Sequence, residues 1–247
     1  MSLRNRVGVV TGGTRGIGRG IALGLAREGA RIALVYRTNK AAAQTALRQL
    51  QAVGADCVAV ETDISQPARA EQLIKAVADR YGRVDVLVNN VGEFRWGTLA
   101  ESSVEEWTGI FESNVTTVFH MCRAALPLMR KGRWGRIINL GAVGAERAFG
   151  QAKISAYAAA KAAVVAMSRS LALEEAKNGI TVNVVNPSSI DEKDLTLEEA
   201  RKLKDARYPI GRPPTVDDVA AAVSFFASEE AEYVTGQVVN VSGGWML

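Results

Sequence analysis

A chain of 247 residues, 48% hydrophobic and 23% charged, has the composition of one globular domain spanning 1–247 with a large core. Two cysteines, Cys57 and Cys122, and a single histidine, His120, are too few for a disulfide framework, a histidine metal centre or a histidine-based triad, so no metal is expected. The formal charge of +4 is scattered, no run of eighteen apolar residues exists, and the N-terminal residues lead straight into a strand pattern; we expect a cytoplasmic protein with no nucleic-acid or membrane partner.

Short apolar runs rich in β-branched residues alternate with longer segments of helical period. The strands are predicted at 6–11, 31–36, 56–61, 84–89, 135–140, 181–186 and 237–241. Their interiors are apolar on both faces, as a sheet covered by helices on each side requires. Helices are predicted at 16–28, 40–53, 67–81, 104–131, 155–178 and 216–228. This alternation specifies the α/β class, a Rossmann-type doubly wound sheet of about seven parallel strands with helices on both faces. One segment breaks the pattern, the charged stretch 188–207 after the sixth strand. Ligands of open α/β sheets bind beyond the carboxyl ends of the strands, so this stretch is expected to act as a substrate lid.

Three local patterns carry chemistry. The first strand runs into Thr11-Gly12-Gly13-Thr14-Arg15-Gly16-Ile17-Gly18 and then a helix. Glycines there allow close backbone approach, and the helix start offers free N–H groups to a pyrophosphate. The second strand ends in Tyr36-Arg37, where an NAD-binding chain carries an acidic residue on the ribose hydroxyls. With no carboxylate to repel a 2′-phosphate, and Arg15 and Arg37 able to pair with one, NADP(H) is the expected cofactor. Tyr157 and Lys161 lie four residues apart in a predicted helix, which puts a phenol and an ammonium on one face. The cation is expected to lower the phenol pKa from its reference of about 10, giving a proton donor with its tuner.

Together with Asn89-Asn90-Val91-Gly92 and Asn114, these motifs resemble the short-chain dehydrogenase/reductase family over essentially the whole chain. Asp63-Ile64, Asn183, Pro187, Gly211-Arg212, Thr235-Gly236-Gln237 and Gly243-Gly244 follow in the same order. Within the family the chain looks most like NADPH-dependent carbonyl reductases such as the 3-oxoacyl-acyl-carrier-protein reductases of fatty acid biosynthesis. The resemblance implies that Gly12, Thr14, Arg15, Gly16, Ile17 and Gly18 cradle the phosphates, and that Asp63 and Ile64 touch adenine. It implies that Asn90 and Gly92 line the ribose side, and that Arg37, Pro187 and Ile190 belong to the cofactor site. Tyr157 would protonate the carbonyl oxygen as hydride arrives, Lys161 would hold the nicotinamide ribose, and Asn114 would anchor a water in the proton relay. A homotetramer is also implied, and an acyl-thioester substrate delivered by acyl carrier protein, for which Arg130, Lys131 and Arg133 form a candidate basic landing site beside the reading of a solvated helix end.

The chain departs from the family pattern near the substrate. Ala142 stands where the catalytic serine is expected, and the stretch 145–156 is longer than usual. Losing one oriented donor costs roughly 10²- to 10³-fold in rate, so reduced rather than absent activity is expected. Val91, Ser188 after Pro187, and Glu192 near a usual threonine are further departures; Ser155, Ser188 and Ser189 are candidates to replace the lost hydroxyl. Three readings stay open: a carbonyl reductase, a reductase of a C=N substrate such as a pterin, prompted also by Glu146, Arg147 and Lys153, and a catalytically impaired NADP-binding regulatory protein.

Overall fold

The computed structural model describes residues 2–246. Its strands are β1 (Val7–Thr11), β2 (Arg31–Tyr36), β3 (Cys57–Glu61), β4 (Val86–Asn89), β5 (Gly135–Leu140), β6 (Ile180–Pro187) and β7 (Val238–Val241). All seven pair in parallel, in the order β3-β2-β1-β4-β5-β6-β7. The chain winds outward in one direction from β1 to β3 and in the other from β4 to β7. The reversal lies between β1 and β4, and it opens a crevice at their carboxyl ends.

Strand period explains how both faces become dry. Val7 and Val9, Ala33 and Val35, Leu87 and Ile137 point into one core with α3 (Pro67–Tyr81), α5 (Thr117–Gly132) and α6 (Ser155–Glu175). Their neighbours Val10, Ile32 and Leu34, Val86 and Val88, and Ile138 point the opposite way, into a core with α1 (Gly16–Arg27), α2 (Lys40–Ala52) and α8 (Val216–Ala227). Each helix contributes an apolar stripe at helical spacing, such as Ile21, Ala22, Leu25 and Ala26 of α1.

The helix expected over 104–131 is interrupted. It divides into α4 (Val104–Phe111), a widened π-turn at Glu112–Thr116, and α5. Hydrophobic period alone does not register such an insertion, because the apolar stripe resumes after it. The helix expected over 155–178 ends at Glu175, with a tight turn over Ala176–Asn178 and Gly179 at φ 73° closing it. Segment 188–207 contains one short helix, α7 (Leu197–Lys202), started by a capping box between Thr196 and Glu199.

Candidate active site

The turn after β1 owes its shape to side chains from β1 and from the residues after β4. Thr11 Oγ1 accepts from the backbone N–H of Asn90 at 2.9 Å and of Val91 at 3.2 Å, while Asn90 Nδ2 donates to the carbonyls of Thr11 at 3.0 Å and Gly12 at 3.3 Å. Gly12 adopts φ 61°, and a Cβ on Gly18 would stand 2.4 Å from the Gly12 oxygen. Asn90 therefore clamps the turn from behind. The first turn of α1 has no side-chain cap and no acidic residue, so its N–H groups are available to an anion, and Arg15 beside them is exposed. Thr14 is buried there and Ile17 half-buried.

Arg37 is exposed at the end of β2, with Glu93 Oε1 at 3.6 Å. Asp63 accepts from the Ser65 N–H at 3.0 Å, and that hydrogen bond is the main cause holding its carboxyl below the usual range. The Ile64 and Ile190 side chains are buried in the two cores, and Pro187 ends β6 half-buried.

Lys161 and Asn114 converge behind Gly92. A Cβ on Gly92 would stand 2.2 Å from Asn114 Oδ1 and 3.3 Å from Lys161 Nζ. The π-turn aims Asn114 inward: its Nδ2 donates to the carbonyls of Glu93 at 2.8 Å and Ile110 at 3.0 Å, and its buried Oδ1 has no partner among the described residues. Lys161 donates to the Leu140 carbonyl at 2.7 Å and lies 5.6 Å from the Tyr157 ring centre. A chain of hydrogen bonds, Asn89 Nδ2 to Asn139 Oδ1 and Asn139 Nδ2 to Ser168 Oγ, each 2.8 Å, fixes α6 against β4 and β5. The uncapped glycine turn and the orphan Asn114 oxygen beside a buried ammonium fit a dinucleotide with its ordered water.

The expected lowering of the Tyr157 pKa is not found. Burial pushes the phenol up to about 12 and pulls the Lys161 ammonium down to about 8. Lys161 reaches the Leu140 carbonyl, and loss of water acts on both groups.

Ala142 begins a loop whose backbone turns through Ala142–Ala145 and whose Gly97–Lys153 contact, 2.8 Å from N–H to carbonyl, ties it to the segment after β4. Phe94 packs edge-on against Tyr157 at 5.0 Å between ring centres, and Trp96 lies 6.0 Å from Phe94. Of the serines named as candidates to replace the missing hydroxyl, Ser189 donates to Asp191 at 2.9 Å, Ser155 is exposed at the start of α6, and Ser188 is buried just after β6.

Two groups matter beyond those expected to bind. Glu146 accepts from Asn186 Nδ2 and Asn240 Nδ2, both at 2.9 Å, and so pins the loop to the ends of β6 and β7. Burial opposes its charge, yet those amides hold its carboxyl below the ordinary range. Lys193 lies over Gly16, and Asp194 pairs with Arg19. No local pattern marks either group, since each partner is distant in sequence. Arg147 and Lys153, by contrast, are exposed.

Of the three basic residues at the end of α5, Lys131 is exposed and Arg130, half-exposed, is engaged within the chain. Its guanidinium is bound to the buried Glu175, and Arg133 donates to the Lys177 carbonyl at 3.0 Å. Both lie where β5 and β6 begin, at the opposite end of the sheet from Tyr157.

A family model described as enoyl-(acyl carrier protein) reductase matches residues 12–246. The chain is 40% identical over 250 residues to the 3-oxoacyl-[acyl-carrier-protein] reductase FabG of Vibrio cholerae, covering all of both chains. It is 40% identical over 255 residues to the FabG of Escherichia coli K12, again over both full lengths. A solved structure from Bacillus thuringiensis, provisionally named a 3-oxoacyl-reductase, superposes with a TM-score of 0.88 at 32% identity, over 96% of this chain and 97% of that one. On sequence and architecture alike, the chain belongs to the short-chain dehydrogenase/reductase family and is an oxidoreductase.

Proposed function

We propose that the protein is an NADPH-dependent reductase converting a carbonyl to an alcohol, with a 3-oxoacyl thioester or comparable ketone as substrate. The observation that carries this reading is the gathering of Tyr157, Lys161 and Asn114 at the carboxyl ends of β4 and β5, opposite an uncapped glycine turn. A nicotinamide held at this site would supply hydride to the carbonyl carbon. Tyr157 gives its phenolic proton to the carbonyl oxygen, and the Lys161 ammonium stabilises the phenolate left behind. Asn114 Oδ1 holds the water through which the proton is replaced. Gly12, Thr14, Gly16, Ile17 and Gly18 form the phosphate cradle, with Asp63, Ile64, Asn90, Gly92, Pro187 and Ile190 around the rest of the dinucleotide. Arg37 favours NADPH, because its exposed pair with Glu93 at 3.6 Å is weak enough for a 2′-phosphate to replace.

Tyr157→Phe is expected to abolish NADPH oxidation with acetoacetyl thioesters while leaving NADPH binding intact. Turnover by that variant at the parent rate overturns the role given to Tyr157. The aromatic wall of Phe94 and Trp96 and the absence of a hydroxyl at Ala142 favour a second reading, reduction of a ring C=N bond. Faster turnover of a dihydropteridine than of any acyl thioester selects it. A homotetramer is proposed in line with the exposed Trp107 and Phe119 on α4 and α5; light scattering on the purified protein gives the mass directly.

A further inference from the structure

Segment 188–207 returns to the first turn of α1. The aliphatic stem of Lys193 covers Gly16, and a Cβ built on that glycine would stand 2.9 Å from Lys193 Cδ and 3.7 Å from Cε. The next residue, Asp194, pairs with Arg19 on the same helix. Two adjacent residues thus fasten the segment to the turn whose N–H groups are uncapped.

The charges around that turn do not balance. A helix start carries roughly half a positive charge. Arg15 stands at the cap position, and the first turn holds no acidic residue. Lys193 brings another cation, and among the described residues no carboxylate lies within ion-pair distance of it. The carboxylate beside it, on Asp194, is already taken by Arg19. Lys193, Arg15 and the helix start repel one another, and an anion placed among them turns each repulsion into an attraction.

We infer that Lys193 is a cofactor-binding residue whose ammonium closes on the pyrophosphate of the dinucleotide, with the Arg19–Asp194 pair setting the closed position of segment 188–207. This rests on the dinucleotide reading of the glycine turn. Pyrophosphate is common to both nicotinamide dinucleotides, whereas the 2′-phosphate expected at Arg37 belongs to one.

Calorimetric titration of NADPH and NADH into the parent protein, Lys193→Met, Lys193→Arg and Arg37→Met separates the possibilities. Lys193→Met is expected to raise both dissociation constants by the same factor, roughly tenfold, and to flatten their salt dependence. Lys193→Arg is expected to restore most of the affinity, and Arg37→Met to weaken NADPH alone. Trypsin provides a second readout, since NADPH should slow cleavage after the exposed Arg201, Lys202 and Lys204 in the parent but not in Lys193→Met. Unchanged affinity and salt dependence in Lys193→Met overturn the inference and leave the cofactor reading standing. A loss confined to NADPH overturns the pyrophosphate assignment, and a parent protein that binds neither dinucleotide overturns the reading beneath it.

Discussion

At the scale of the residue, Lys161 and Tyr157 respond to the same loss of water in opposite directions. The ammonium, 5% exposed, titrates near 8 instead of 10.5, and the phenol near 12 instead of 10. If the charge on Lys161 stabilises the phenolate, reduction at saturating NADPH should fall as pH rises through about 8, and a rate flat from pH 7 to 9 contradicts that role. The same shift has a stability consequence of defined sign. Between about 8 and 10.5 the unfolded chain binds more protons at this lysine than the folded one, so the cost of burying its charge, full below about 8, is relieved as pH rises toward 10.5. Urea denaturation of the parent and Lys161→Met at pH 7.5 and 10 should show the gap between them shifting toward the parent at the higher pH. Ala142 makes a separate prediction: Ala142→Ser should raise kcat for a 3-oxoacyl thioester by roughly 10- to 100-fold if the new hydroxyl reaches the carbonyl. An unchanged or lower rate indicates that Phe94 and the lengthened loop have moved the substrate away from that position.

At the scale of the element, the site depends on two departures from regular backbone. The π-turn Glu112–Thr116 lets one side chain, Asn114, donate to two carbonyls and leave its oxygen facing Lys161 and Gly92. Asn114→Leu should lower kcat far more than it changes NADPH affinity, because the amide lies toward the reacting end and not at the phosphate cradle. The glycine turn is stricter sterically. Gly18→Ala places a methyl 2.4 Å from the Gly12 oxygen and 2.6 Å from Asn90 Nδ2, and neither atom can yield without opening the turn. The variant is expected to keep its circular dichroism spectrum and to lose more than tenfold in affinity for NADPH; binding at parental affinity shows that the turn accommodates a Cβ. Helix positions such as 18 and 114 look ordinary by period. Their function comes from what an adjacent element places beside them.

At the scale of the whole molecule, the sheet separates stability from chemistry. The glycine turn, Tyr157 and Lys161 sit at the carboxyl ends of the strands, while Arg130, Glu175 and Arg133 tie α5 to α6 at the opposite end. Arg130→Met leaves the buried Glu175, among the described residues, with only its hydrogen bond from Asn178, 2.8 Å long, so the thermal midpoint should fall while NADPH affinity stays at the parent value. A matching fall in affinity contradicts this separation. Among the described residues no helix is long and apolar enough to cross a membrane.

Much of this architecture is legible along the chain. Strand–helix alternation, apolar on both strand faces, determines an α/β sheet; the glycines after β1 and the four-residue step from Tyr157 to Lys161 are local patterns that survive in one dimension. The absence of a carboxylate at Tyr36-Arg37 and of a hydroxyl at Ala142 is visible in the same way. Only the tertiary structure decided the strand order, the π-turn that aims Asn114, the commitment of Arg130 to Glu175, the clamp of Glu146 on Asn186 and Asn240, and the fall of Lys193 onto Gly16. It also reversed the expected direction of the Tyr157 shift. Each of these depends on groups far apart in sequence meeting at a few ångströms, or on water being excluded from them, and neither proximity nor burial at that range is encoded in the spacing of neighbouring residues.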